Sequence, residues 1–176
     1  MDDSDLTELR SLVGLHEKLV YEAVKAGTVD ELPQESQLFA KVIQEHMHLK
    51  HMHNALEFAD LREGEPYEIT VDGQTVNPMA HIAAHAAVKG QIEQDPSVRA
   101  AFEKMVVTGA SPHQAEHILC AMFTELQWGI ARAVRAGEDS GKALRIYNNK
   151  IRKLTRDPAL RKKLFRLFSD DHSVFE

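Results

Sequence analysis

The sequence predicts an all-α fold: a helical bundle of about four core helices with a C-terminal helical hairpin, interrupted by a short β-hairpin insertion near residues 67–76. Apolar residues recur at the three- and four-residue spacing of a buried helix face through most of the chain. Four segments open on a capping side chain followed by proline, at Asn77-Pro78, Asp95-Pro96, Ser111-Pro112 and Asp157-Pro158. Proline's missing donor costs nothing in a first helical turn. Three segments close on Gly27, Gly109 and Gly137, the residue type that most readily takes the left-handed turn ending a helix.

A chain of 176 residues that is 43% hydrophobic and 27% charged can bury a sizeable core. We expect residues 1–137 to form a histidine-rich bundle domain, and residues 138–176 a basic helical extension packed on it. The lone Cys120 excludes an intrachain disulfide and cysteine-rich zinc folds, and fits a reducing compartment. No apolar run is long enough to span a membrane, and the acidic start (Asp2, Asp3, Asp5) lacks a signal peptide's basic and apolar regions. A cytoplasmic protein without a membrane partner is therefore expected. The net charge of −6 argues against nucleic acid as the main partner, and nothing excludes a homo-oligomer.

Taken in order, Leu6, Leu9, Val13, His16, Val20 and Val24 mark a first helix ending at Gly27. Pro33 opens a second, expected to run to about Leu61, with Val42, His46, Leu49, His53 and Leu56 on one face. His48 and His51 then fall on the solvated side, because steps of two residues point to opposite sides of a helix. Tyr67 to Val71 alternates, and Asp72-Gly73 before a Gln74-Thr75-Val76 return is a hairpin signal. Helices follow from Pro78 to about Gln94, from Pro96 to about Thr108, and from Pro112 to Ala136. Gln114 stands three residues after Ser111, as a capping box requires. Residues 142–166 carry ten Lys and Arg against the single acid Asp157, with Leu144, Tyr147, Ile151 and Leu154 at helical spacing. Such a basic amphipathic hairpin is either a solvated face or a contact for an anionic partner.

Histidine is the unusual residue: there are ten, nine of them between positions 16 and 117. His81 with His85, and His113 with His117, are pairs four residues apart, so each pair can aim two imidazoles at one spot. Two such pairs on neighbouring helices supply the ligands of a divalent metal ion, zinc, iron or manganese. Alanines at 80, 83, 84, 86 and 87 leave room for a neighbouring helix to approach. Four inward imidazoles make a poor core unless something bridges them, since each buried nitrogen needs a partner. His53 and Glu57, also four apart, form a His/carboxylate pair that would enlarge the site to a dinuclear one. Glu116, beside His117, is the candidate catalytic base for a metal-bound water. Whether His16 and His46 join the site is left open by spacing alone. His113-Gln-Ala-Glu-His117 also fits H-x-x-E-H, the inverted zinc-peptidase pattern. That pattern needs a distant third carboxylate, and only a short basic tail follows here.

Asn77-Pro-Met-Ala-His81-Ile-Ala-Ala-His85, Gln91, Asp95-Pro96, Arg99, Gly109 and His113-Gln-Ala-Glu-His117 resemble the small bacterial proteins grouped as domain of unknown function 1841. The likeness spans about residues 77–128 well, and the helix around His53 more loosely. It implies the paired histidines as the family signature and no activity. A fainter likeness is to hemerythrin, whose helical bundle holds two irons: His16, His53 with Glu57, and His81 with His85 follow a similar order. Hemerythrin's last helix, however, uses a histidine followed five residues later by aspartate, whereas Met122 and Ile118 stand at those places after His117 and His113. The expectation is a metal-binding helical bundle and a candidate metalloenzyme, for dinuclear redox or metal-assisted hydrolysis. The rival is a non-enzymatic interaction module that uses the basic C-terminal helices, with the histidines purely structural.

Overall fold

The computed structural model describes residues 3–47, 50–61, 68–71 and 74–168. The fold is all-α. Among the described residues its α-helices are α1 (Asp3–Ala26), α2 (Gln34–Glu45), α3 (Lys50–Glu57), α4 (Pro78–Gln94), α5 (Pro96–Val107), α6 (Pro112–Ala136), α7 (Gly141–Arg156) and α8 (Pro158–Leu167). The chain divides into two compact units, the first ending at Ala86 and the second beginning at Ala87. No helix among the described residues is long and apolar enough to cross a membrane.

In the first unit α1 packs on α2 and α3. Val20 and Tyr21 from α1, Val42 and Ile43 from α2, Met52 and Leu56 from α3, and Met79 and Ile82 from the start of α4 close the core. The structure corrects the second helix, which the apolar periodicity carries unbroken from Pro33 to Leu61. It stops at Glu45, resumes at Lys50, and ends in a short 3-10 turn at Ala59–Leu61. Histidine side chains account for the break. An unbroken helix would give the Met47 carbonyl to the amide of residue 51; here it accepts from the ring Nε2 of His53, at 2.6 Å. His46 stands at the cap with φ −105° and ψ 8°, and its ring Nδ1 lies 2.8 Å from the Val42 carbonyl. Ile69–Val71 and Gln74–Val76 pair antiparallel, Ile69 opposite Val76 and Val71 opposite Gln74. Three residues per strand are too few to build a layer. Tyr67 and the Asp72-Gly73 turn signal lie outside the described residues.

In the second unit α5, α6 and α7 pack on one another and α8 folds against α7. Val98, Met105, Leu126, Tyr147, Ile151 and Leu154 are among its buried side chains. Asp95 caps α5 by accepting from Ser97 N, Ser111 caps α6 by accepting from Gln114 N, and Asp157 caps α8 by accepting from Ala159 N and Leu160 N. Gly137 takes φ 66° at the end of α6. At Gly129 helices α6 and α7 approach closely: a Cβ there would lie 2.9 Å from that of Ala143.

Two side chains in this unit take partners that local spacing does not reveal. The Gln114 amide donates to the carbonyls of Phe165, at 3.0 Å, and Phe168 at the end of α8. Arg161, one of the ten basic residues of the hairpin, is only 2% exposed. Pro158 has no N–H to give the Leu154 carbonyl, and Arg161 Nη1 supplies the missing donor at 2.6 Å. The same nitrogen reaches the Thr155 carbonyl at 3.2 Å, and Nε reaches Thr108 Oγ1 at 3.1 Å.

Candidate metal centre

The first unit assembles three imidazoles from two elements. The end of α2 turns His46 inward, and the capped start of α4, where Asn77 Oδ1 accepts from Ala80 N at 3.0 Å, sets the register of His81 and His85. The rings of His46 and His81 are 5.1 Å apart, those of His46 and His85 4.9 Å, and those of His81 and His85 4.7 Å. His46 is 2% exposed and His85 fully buried, while His81 is half-buried.

Hydrogen bonding fixes which nitrogen of His46 can bind an ion. A ring nitrogen facing a carbonyl must carry the proton, so Nδ1–H donates to Val42 O. The lone pair is then on Nε2, which points at His81 Nε2, 3.3 Å away. An imidazole whose far N–H is tied to a backbone carbonyl is the arrangement that orients a metal ligand and raises its basicity.

The second unit carries a histidine pair of its own. His113 and His117 stack along the first turns of α6 with ring centroids 4.3 Å apart, both half-buried. Between them Glu116, 7% exposed, receives Lys89 Nζ at 2.9 Å. One turn on, Cys120 is buried, and this burial, with the Glu116 charge adding to it, pushes the thiol up to about 12.

Of the residues that spacing nominated, His53 and Glu57 are committed elsewhere. His53 Nδ1 accepts from the Tyr21 hydroxyl at 2.7 Å while its Nε2–H serves the Met47 carbonyl. Glu57 is held by Lys25 at 2.9 Å and Lys18 at 3.1 Å, and these hydrogen bonds keep its carboxyl below the usual range. Both arrangements depend on α1, far away in sequence. His16 pairs with Ser36 Oγ at 3.0 Å. His48 and the side chain of His51 lie outside the described residues.

Four histidines, His46, His85, His113 and His117, each buried or half-buried, could hold a metal ion. His46 is the member that helical spacing did not select, since an unbroken helix placed it in an apolar stripe. The available signal was the run of histidines at 46, 48, 51 and 53, too many for one helix face. All four donors are imidazole nitrogens, which suit zinc, copper, nickel or iron far better than magnesium or calcium.

No curated protein and no solved structure matches the chain, and the likeness to hemerythrin finds no support. The family described as Domain of unknown function (DUF1841) matches residues 19–148, extending the resemblance read over 77–128 well beyond the paired histidines in both directions. The chain belongs to that family.

Proposed function

We propose that this is a metal-binding domain in which His46, His85, His113 and His117 hold one divalent cation, zinc fitting best, in a structural role. The observation that carries the reading is the Nδ1–H of His46 donating to Val42 O, which puts the lone pair on Nε2 of a buried ring that packs 4.9 Å from the ring of His85. Four neutral imidazoles complete a tetrahedral zinc sphere, and a closed sphere leaves no position for a reacting water. The carboxylates that redox or hydrolytic chemistry would use already have cationic partners, Glu57 with Lys18 and Lys25 and Glu116 with Lys89. Hydrolysis would require one imidazole to leave the ion and Glu116 to leave Lys89.

Chelation tests the proposal. An ion present at a thousand times its dissociation constant stabilises the folded chain by about 4 kcal/mol. For a protein of this size its removal should lower the melting temperature by roughly 10 °C. The double variant His85→Ala/His117→Ala should melt at the same temperature with and without chelator. A wild-type melting curve that chelator leaves unmoved would overturn the proposal.

A further inference from the structure

We propose that His81 is not a ligand of the ion but its competitor: a hydrogen-bond donor that occupies the His46 lone pair until the ion arrives. This role rests on the metal-binding reading above, and its geometry lies within the first unit alone. His46 Nδ1 carries the proton, because it faces the Val42 carbonyl at 2.8 Å. Its Nε2 therefore presents a lone pair to His81 Nε2, 3.3 Å away. Two lone pairs at that distance repel, so His81 Nε2 carries a proton and donates it. His81 then keeps its own lone pair on Nδ1, the far side of the ring.

One lone pair cannot serve an N–H and a cation together. Ligation by His46 must break the bond to His81, and the His81 nitrogen that faces His46 is the protonated one. The bond serves a nitrogen of a residue only 2% exposed, where losing a hydrogen bond is costly. His81 is half-buried, unlike His85 one turn later, so it can swing towards solvent when displaced. His81 thus keeps the metal-free fold intact and lowers the affinity for the ion.

Cobalt(II) binding followed by visible absorption, on the full chain, tests this role. His81→Ala should bind one cobalt with the intense four-coordinate band of wild type and about two- to tenfold more tightly, the range of one net hydrogen bond. His81→Gln, whose amide can still donate to His46, should stay near the wild-type affinity. His85→Ala, which removes a ligand, should lose the band. Weaker cobalt binding by His81→Ala, or loss of the band as in His85→Ala, would make His81 a ligand and overturn the proposal. Nitrogen-15 spectra of the metal-free chain give a readout independent of the ion: a proton on Nδ1 of His46 and on Nε2 of His81 is expected, and the opposite tautomer at either ring would overturn it. Wild type that shows these tautomers yet takes up no cobalt would end the metal-binding reading, and the competitor role with it.

Discussion

Replacing Arg161 by methionine keeps the length of the side chain and removes its guanidinium. Arg161 is 2% exposed and donates to the Leu154 and Thr155 carbonyls and to Thr108 Oγ1. A hydrogen bond to a charged group contributes about 1.5–3 kcal/mol, so losing both carbonyl bonds costs roughly 3–6 kcal/mol. Against this, removing a buried charge recovers several kcal/mol of desolvation and methionine restores apolar packing. The bonds win, because Pro158 cannot replace the donor to Leu154, and we expect a net loss of about 2–3 kcal/mol. In urea this lowers the unfolding midpoint by roughly 1–1.5 M at a slope of about 2 kcal/mol/M. Arg161→Lys should do no better, because an ammonium bears the same desolvation while losing the guanidinium's fork of donors. An Arg161→Met midpoint within about 0.2 M of wild type would refute the capping role.

Gly129→Ala should cost about 1–3 kcal/mol through its 2.9 Å approach to the Ala143 Cβ. The double variant with Ala143→Gly should regain part of that loss in a double-mutant cycle, and strict additivity would contradict the contact. Cys120 and Tyr147 are both pushed up to about 12, chiefly by burial, from ordinary values of 9.0 and 10.0. Groups raised on folding stabilise the fold fully below their unfolded values and lose that contribution as pH climbs to the folded ones. Denaturation between pH 9 and 11 should therefore show wild type losing stability faster than Cys120→Ala, by up to about 1.4 kcal/mol per pH unit. The thiol should also resist aromatic disulfide reagents at pH 8 until the chain unfolds; equal slopes and rapid labelling would contradict its burial. His53→Leu should destabilise the first unit by about 1–3 kcal/mol, since the Tyr21 hydroxyl and the Met47 carbonyl lose their partner. Its metal content should be unchanged, and loss of the ion without loss of stability would return His53 to the ligand set.

What was legible in the sequence is what short stretches decide. The Asp95-Pro96, Ser111-Pro112 and Asp157-Pro158 starts, and the glycines at 27, 109 and 137, sit at helix ends as expected. Caps are satisfied within three residues, so spacing reveals them. The His81/His85 and His113/His117 pairs were legible for the same reason, as neighbours on one helix face. What escaped depends on partners distant in the chain. Apolar periodicity continues across residues 46–49, but the ring of His53 takes the Met47 carbonyl, and no local propensity records that choice. His53 and Glu57 keep ligand spacing, yet Tyr21, Lys18 and Lys25 on α1 claim them first. Arg161 reads as one more surface cation until Pro158 leaves a carbonyl for it to satisfy.

X-ray absorption at the metal edge, on protein purified without a histidine tag or chelator, reads out whether one ion is held by four imidazoles. About one zinc per chain is expected, with four nitrogens at about 2.0 Å and the outer-shell scattering of imidazole rings, lost together in His46→Ala/His117→Ala. A sphere containing sulfur or carboxylate oxygen, or no stoichiometric ion in wild type, would contradict it.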